Sequence, residues 1–196
     1  MSEKLPLILG SSSVFRREQL ARLGLAFQTA SPDFDETPVE GEHAQSTALR
    51  LAADKAHSLA AQFPNALIIG ADQVAWCNQR QLGKPMNVAN AQQMLAELSG
   101  KRIEFYSAIV LLNTKSGRMQ QHVDHTVVTM RELTNTQIRR YLEREPDAVY
   151  CAGAAKSEGL GAALLAKIDS TDPNALIGLP IFRLIDFLNN EGVAVL

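Results

Sequence analysis

The sequence contains little of what several large protein classes need. It has two cysteines in 196 residues, Cys77 and Cys151, and they lie far apart, so neither a disulfide scaffold nor a cysteine metal site is indicated. The formal net charge of -2 argues against a general nucleic-acid binder, because such proteins present basic surfaces. No apolar run is long enough to span a membrane or to form the core of a secretory signal. We therefore expect a cytoplasmic protein that binds neither bulk nucleic acid nor membranes.

Several familiar catalytic motifs are also missing. The chain has no Walker P-loop, no GxGxxG, no nucleophile elbow and no zinc motif. Its composition, 46% hydrophobic and 20% charged, is that of an ordinary globular protein and suits a single domain over residues 1–196. Any chemistry must therefore rest on residues that are scattered along the chain.

A serine-rich stretch links the first predicted strand to the first predicted helix. The apolar run Leu5–Leu9 stops at Gly10, and three serines precede the helical pattern. Free backbone N–H groups and the helix dipole favour an anion at such a junction. Arg16 falls on the inward face of this helix, where a cation is awkward unless an anion lies nearby. Two interpretations stay open: a phosphate site made by Ser11, Ser13 and Arg16, or ordinary serine capping with Arg16 turned to solvent.

The rest of the chain predicts a mixed α/β fold. The predicted strands after the first are Ala26–Thr29, Ala66–Gly70, Arg102–Asn113 and Met119–Arg131, the last two forming a hairpin. Val74–Cys77 either continues the strand Ala66–Gly70 or begins another strand. The predicted helices after the first are His43–Phe63, Val88–Leu98, the segment from Thr134 to Arg144, and a final helix that starts at Pro180 and ends before Gly192. Ala162–Ile168 suits either a strand or a helical turn. Alternation of this kind favours an α/β or α+β sheet with helices against it.

Two charged residues occupy positions where charge is unusual. Lys55 falls between Leu51 and Leu59 in the apolar stripe of the second helix, so its ammonium group either snorkels to the surface or meets an anion in a cleft. Asp72 follows the apolar strand Ala66–Gly70. Ligands gather at the carboxyl ends of strands in open α/β sheets, so we expect the loop that carries Asp72 to face the same cleft as the serine loop.

The cations and carboxylates of the chain together suit phosphoryl chemistry. The donors and cations are Ser11, Ser13, Arg16, Lys55 and Lys84, and the carboxylates are Glu36 and Asp72. Cations and hydrogen-bond donors hold phosphates, while carboxylates hold a divalent metal or orient water. Each of these residues alone is more often a solvated charge, so the hypothesis depends on their convergence.

These residues lie in motifs through which the chain resembles the Maf family of nucleoside triphosphate pyrophosphatases. The motifs are Ser11-Ser12-Ser13-Val14-Phe15-Arg16, the Asp-Glu-Thr-Pro loop from Asp35 to Pro38, Lys55-Ala56, Gly70-Ala71-Asp72-Gln73 and Gly83-Lys84-Pro85. Phe15, Gln73 and the late Lys156-Ser157-Glu158-Gly159 are similar to the branch that acts on 7-methyl-GTP. The match runs from the first strand to the last helix.

The resemblance implies a fold, a reaction and a cofactor. The fold would be like that of Maf and inosine triphosphatase proteins, a central mixed sheet with flanking helices that form two lobes around a cleft. The reaction would be hydrolysis of 7-methyl-GTP to 7-methyl-GMP and diphosphate, which removes modified nucleotides. A divalent cation such as Mg²⁺, Mn²⁺ or Co²⁺ would be required, and the protein would be a homodimer.

The resemblance also implies roles for individual residues. Asp72 would accept the proton of the attacking water, Glu36 and Lys55 would assist catalysis, and Glu36 and Asp72 would hold the metal. The residues expected to bind substrate are Ser11, Ser13, Phe15, Arg16, Gln73, Lys84, Lys156 and Glu158.

Phe15 and Glu158 suit the methylated base. Methylation at N7 makes the guanine ring cationic, and an aromatic face attracts such a cation by roughly 0.5–2 kcal/mol. A carboxylate can accept hydrogen bonds from the N–H donors of the guanine Watson–Crick edge. Core packing is the alternative role for Phe15, and a solvated loop charge is the alternative for Glu158. Two other functions stay open: a dTTP and UTP pyrophosphatase, expected to have arginine and glutamine at these positions, and a non-catalytic nucleotide-binding regulator of cell division.

Overall fold

The structure, a computed structural model, describes residues 5–35, 37 and 39–196. The strands are β1 (Leu7–Gly10), β2 (Gln28–Ala30), β3 (Leu67–Cys77), β4 (Arg80–Leu82), β5 (Arg102–Asn113), β6 (Met119–Met130) and β7 (Leu165–Asp169). The α-helices are α1 (Val14–Ala21), α2 (Ala44–Ser58), α3 (Val88–Leu98), α4 (Asn135–Arg144) and α5 (Ile181–Asn190). None of the helices in these ranges combines the length and the apolar content needed to cross a bilayer.

The predicted mixed α/β fold and most of its elements are confirmed. Helix α3 begins after Asn87, whose side chain accepts a hydrogen bond from the Asn90 N–H at 2.8 Å. Helix α4 begins after Thr134, and Thr134 and Gln137 form a reciprocal capping box. Strands β5 and β6 are neighbours in the sheet and are joined by a short turn, as the predicted hairpin requires.

Several elements differ from the prediction. Helix α2 ends at Ser58 rather than Phe63, and Pro64 disfavours helical backbone at the residue before it. Strand β4 was not predicted, because its two-residue hairpin turn places Asn78 and Gln79 at positive φ, where glutamine is uncommon. The ambiguous segment 162–168 contains both alternatives, since a 3-10 turn at Leu160–Leu164 leads directly into β7.

The strands form a sheet in the order β2-β1-β3-β5-β6-β7, with β4 paired to β3. Strand β1 is parallel to both β2 and β3, and Gly10 of β1 is opposite Gly70 of β3. The serine loop, which starts at Ser11, therefore leaves β1 beside the part of β3 that continues to Asp72. This register brings the serine motif and the Gly70-Ala71-Asp72-Gln73 motif to the same place in the sheet.

The chain divides into two compact units, which we describe separately. Unit 1 comprises Met1–Gln73, Tyr106–Asp124 and Asp172–Leu196. Its buried core joins apolar residues of β1, α1, β3, β5 and α5 with Leu179, which precedes α5. These residues are Leu7, Leu9, Leu20, Leu67, Ile69, Ala71, Ile109, Leu111, Leu179, Ile181, Leu184, Phe187 and Leu188.

Unit 2 comprises Val74–Phe105 and His125–Thr171. Helices α3 and α4 pack against each other in this unit. Its buried side chains include Leu82, Ala91, Leu95, Leu98, Ile103, Phe105, Val128, Met130, Ile138, Tyr141 and Leu142.

A glycine sets the distance between α2 and β3 in unit 1. An ideal Cβ at Gly70 would lie 2.0 Å from the Ala52 carbonyl oxygen and 3.0 Å from the Ala56 nitrogen. Only a residue without a side chain lets the helix approach the strand so closely. The contact matters for function because α2 carries Lys55 and β3 carries Asp72.

Candidate functional site

Lys55 and Asp72, both predicted to face one cleft, form an ion pair in unit 1 that the sequence did not predict. The Lys55 Nζ lies 2.5 Å from the Asp72 Oδ1, and the two side chains are 12% and 13% exposed. The Lys55 ammonium group also lies 5.8 Å from the centre of the Phe34 ring. The interpretation that Lys55 snorkels to solvent is therefore wrong, because its ammonium group ends on a carboxylate in a partly buried position.

Asp72 and Gln73 lie inside a strand, not in a loop that follows one. The prediction interrupted the strand after Gly70 and left open whether Val74–Cys77 continued it, whereas β3 runs without a break from Leu67 to Cys77. A polar pair fits inside the strand because both side chains have partners: Asp72 pairs with Lys55, and the Gln73 amide donates to the Ser107 Oγ at 2.8 Å. The loop prediction for Asp72 is therefore corrected, although its place beside the serine loop is retained.

Besides its contact with Ser107, the Gln73 amide binds backbone carbonyl groups of a nearby turn. Its Nε2 lies 3.0 Å from each of the carbonyl oxygens of Ala175 and Leu176. The Ser107 hydroxyl, fully buried, donates to the same Ala175 oxygen at 2.7 Å. Gln73 therefore orders the segment around residues 175–176 through its amide nitrogen, and a contact with substrate would use its remaining oxygen.

The serine loop caps α1 and contacts Arg16. The Ser13 Oγ accepts a hydrogen bond from the Arg16 N–H, as an N-cap residue does. The buried Ser11 Oγ accepts from the Ser13 N–H at 3.2 Å and lies 3.5 Å from an Arg16 guanidinium nitrogen. Serine capping of α1 and a contact between the serine loop and the Arg16 guanidinium therefore occur together.

Arg16 does not turn to solvent. Its Nε donates to the Gly178 carbonyl oxygen at 3.0 Å, and the side chain is partly buried. Gly178 has φ of +125°, and an ideal Cβ at this position would lie 3.3 Å from the Arg16 Nε. A glycine is therefore needed both for the backbone conformation and for the approach of the arginine.

A small pocket opens beside the serine loop. It has a volume of about 90 Å³ and is lined by Ser11, Ser12, Ser13, Val14, Arg17, Thr29, Ala30 and Ser31. The hydroxyl groups, the start of α1 and the Arg17 guanidinium give it the chemistry of an anion site. Arg17 was not among the predicted residues; its adjacency to Arg16 in the sequence was the available signal.

The structure places Phe15 on α1 with its ring partly buried. This exposure is compatible both with packing and with a ligand contact. Glu36, predicted to assist catalysis and to hold metal, lies outside the described residues.

Three predicted residues of unit 2 lie near the Cys151 thiol. Burial raises the pKa of this thiol to about 11, and the charges of Glu158, Lys156 and Lys84 act on it in that order of size. Lys84 and Glu158 are exposed, whereas the Lys156 ammonium group is 3.1 Å from the Glu145 Oε1. The charges of all three residues therefore act on the Cys151 thiol, and Glu145, which the sequence did not point out, acts on it too.

Comparison with known proteins identifies the family. The model of the family described as "Maf-like protein" matches residues 6–191. The chain belongs to the Maf-like family. It is similar over its whole length to a protein of Neisseria gonorrhoeae named 7-methyl-GTP pyrophosphatase, with 71% identity over 196 residues and all of both chains covered. It is also similar to a protein of the same name from Chromobacterium violaceum, with 56% identity over 190 residues, 97% of this chain and 98% of the relative.

The donor set of this Maf-like chain suits a metal that is held mainly by its substrate. In the described part of the chain, which leaves out Glu36, no three His, Cys, Asp or Glu side chains are grouped closely enough to hold an ion. Mg²⁺ commonly takes one or two protein carboxylates and completes its shell with phosphate oxygens and water. Asp72 can supply one such carboxylate through its second oxygen, because Lys55 engages the first. The residues present therefore fit a divalent cation that binds together with a triphosphate.

Proposed function

We propose that this protein hydrolyses 7-methyl-GTP to 7-methyl-GMP and diphosphate and so removes modified nucleotides. The observation that carries the proposal is the partly buried Asp72 carboxylate, held 2.5 Å from Lys55 beside the serine loop. The full-length similarity to proteins named 7-methyl-GTP pyrophosphatase supports the choice of substrate. The enzyme is a hydrolase that acts on a phosphoanhydride bond.

In the proposed reaction, Asp72 accepts the proton of a water molecule as that water attacks the α-phosphorus. The bond between phosphorus and the oxygen that bridges the α- and β-phosphates breaks, and diphosphate leaves with the bridging oxygen. Lys55 fixes the orientation of the Asp72 carboxylate and can donate to a phosphate oxygen once substrate is bound. Glu36 is proposed to assist Asp72.

Cations and hydroxyl groups are proposed to hold the triphosphate. Ser11, Ser13 and Arg16 supply donors at the start of α1, where the helix dipole also favours negative charge. Lys84, on an exposed loop, supplies a further cation. A divalent cation, Mg²⁺, Mn²⁺ or Co²⁺, would neutralise phosphate charge and is proposed to be held by Asp72 and Glu36.

The base is proposed to be recognised by charge as well as by shape. The Phe15 ring would stack on the cationic 7-methylguanine, and the Glu158 carboxylate would accept from its Watson–Crick N–H donors. Gln73 and Lys156 are proposed to contribute to nucleotide binding. Phe15, Gln73 and Lys156 are partly buried, whereas Glu158 is exposed.

A panel of nucleotides tests the proposed function. The purified protein should release diphosphate from 7-methyl-GTP in the presence of Mg²⁺ or Mn²⁺, faster than from GTP, dTTP or UTP. Release of orthophosphate would contradict the proposed bond, and a preference for dTTP and UTP would favour the pyrimidine pyrophosphatase. Tight nucleotide binding without turnover would favour a regulator.

A double variant tests the specificity residues. Phe15→Arg combined with Glu158→Gln should shift the selectivity away from 7-methyl-GTP, because it replaces a stacking ring by a cation and removes the carboxylate charge. An unchanged ratio of kcat/KM between 7-methyl-GTP and dTTP would remove both residues from base recognition.

We also propose that residues 1–196 act as a single catalytic domain, that the protein forms a homodimer and that it works in the cytoplasm. Light scattering coupled to size-exclusion chromatography measures the mass directly. A mass near the 21.4 kDa of one chain would contradict the homodimer.

A further inference from the structure

The segment Lys156–Gly161, which carries Glu158, is fixed by two side chains of the α4 region. The Lys156 N–H donates to the Tyr141 Oη at 3.0 Å. Glu145, the residue that follows α4, accepts from the Leu160 N–H at 3.0 Å and from the Lys156 Nζ at 3.1 Å. Both ends of the segment are therefore tied to the same helix and the residue that follows it.

The Glu145 carboxylate is well suited to this role. Its side chain is only 15% exposed, and its two oxygens accept from two different donors. The Leu160 N–H, first, and the Lys156 ammonium group, second, lower the pKa of the carboxyl below its ordinary value. The carboxylate is thus held in its charged form by the segment that it orders.

Two glycines make room for this arrangement. An ideal Cβ at Gly159 would lie 2.5 Å from the Glu145 Oε2, so the carboxylate occupies the place of a side chain. An ideal Cβ at Gly161 would lie 2.4 Å from the Lys156 carbonyl oxygen, so the segment folds back tightly on itself. A segment this closely fitted gives Glu158 little freedom of backbone position.

We propose that Glu145 is a positioning residue for base selection: it anchors Lys156 and Leu160 on either side of Glu158 and thereby orients the carboxylate that reads the guanine edge. This inference rests on the proposed function. A carboxylate that pairs with two adjacent N–H donors depends strongly on direction, as bidentate hydrogen bonds do. The proposed phosphate contacts of Ser11, Ser13, Arg16 and Lys84 involve neither Glu158 nor Glu145, so loss of Glu145 should not weaken them.

Binding of two unreactive ligands separates these effects. We would titrate 7-methyl-GMP, which carries the base, and tripolyphosphate, which has none, into the purified protein by calorimetry. Glu145→Ala should weaken 7-methyl-GMP binding by about tenfold, the size of one lost charge-assisted hydrogen bond. Tripolyphosphate affinity should not fall, because the variant removes a negative charge and none of the proposed phosphate donors.

Three further variants complete the test. Glu145→Gln keeps an acceptor for the Leu160 N–H and should retain most of the affinity, whereas Gly159→Ala pushes on the Glu145 carboxylate and should reproduce the loss. Glu143→Ala, an exposed residue two positions earlier on α4, is the matched control and should bind both ligands normally.

The outcomes distinguish this inference from the proposed function. Wild-type affinity for 7-methyl-GMP in both Glu145→Ala and Gly159→Ala would overturn the positioning role alone. Equal weakening of both ligands would also overturn it, because a general structural role would act on both. A wild-type protein that binds 7-methyl-GMP no better than dTMP would overturn the proposed substrate class, and the inference with it.

Discussion

At the scale of residues, a single ion pair links two distant parts of the chain. Lys55 and Asp72 are 17 positions apart and meet at 2.5 Å in a place where each is mostly covered. A partly buried pair of this kind is weak evidence for stability, because desolvation opposes the attraction. Its position beside the serine loop is better explained by catalysis, in which the carboxylate needs a fixed orientation.

Gly178 is the residue whose replacement most directly disturbs Arg16. Gly178→Ala should destabilise the protein by about 1–3 kcal/mol, because φ of +125° suits glycine, and should raise the KM for 7-methyl-GTP, because a methyl group would displace the Arg16 Nε. Urea unfolding and steady-state kinetics measure the two effects.

Gly192→Ala is the matched control for this variant. Gly192 also has a positive φ, of +76°, but no atom lies within 4 Å of an added Cβ. It should lose stability without a change in KM. If both variants leave KM unchanged, the Gly178 carbonyl does not position Arg16 for substrate.

Sequence patterns indicated the residues whose charge is unusual for their immediate sequence neighbours. Lys55 interrupts an apolar stripe and Asp72 follows an apolar run, and both are visible within a few positions. Gly178 and Glu145 could not be found this way, because their roles depend on partners far along the chain, such as the Arg16 Nε at a separation of 162 positions. Arg17 was missed although it lies next to a predicted residue.

At the scale of elements, the approach of α2 to β3 sets the geometry of the ion pair. Gly70→Ala should destabilise the protein by about 3 kcal/mol and sharply reduce turnover, because an added Cβ would lie 2.0 Å from the Ala52 carbonyl oxygen and would push α2 outwards. Thermal unfolding and diphosphate release are the measurements.

Gly83→Ala serves as the stability control, since nothing lies within 4 Å of its Cβ and its φ is not positive. It should unfold at nearly the wild-type temperature. Wild-type stability in Gly70→Ala would mean that α2 and β3 are not held at this distance.

Elements marked by a cap or an apolar period in the sequence were predicted well. Elements that depend on partners from other parts of the fold were not. Helix α3 has a cap and an apolar period, and its bounds Val88–Leu98 match the prediction. Strand β3 passes through Asp72 and Gln73, whose polarity indicated a loop. A strand is acceptable there because both side chains have partners from other elements, among them Lys55 and Ser107.

At the scale of the whole molecule, stability should fall in alkaline solution. Burial raises the pKa of the Cys151 thiol from 9.0 to about 11 and that of Tyr141 from 10.0 to about 12. Above pH 9 the unfolded chain loses the thiol proton while the folded chain keeps it, so the unfolded state is favoured as pH rises. Below pH 9 both states are protonated at this group and it has no effect.

Cys151→Ala isolates this contribution. Urea unfolding followed by the fluorescence of Trp76, the one tryptophan of the chain, should show a shallower fall in stability between pH 9 and 11 than the wild type does. Identical slopes for both proteins would mean that the thiol is not shielded from solvent in the folded state.

The fold class and the family could be predicted because motifs are spread from the first strand to the last helix. The boundaries between the two units could not be predicted, since β3, β5 and β6 each contribute residues to both. Nothing in the sequence of a single strand marks where one unit ends.

The central claim is that Asp72 activates water for attack on a triphosphate, and turnover of Asp72→Asn tests it most directly. With 7-methyl-GTP and Mg²⁺, this variant should release diphosphate at least about 100-fold more slowly than the wild type, because an amide cannot accept the proton. Its circular dichroism should be unchanged. Asp169→Asn, which alters an exposed pair with Lys167, should react at the wild-type rate. Wild-type diphosphate release by Asp72→Asn would contradict the account.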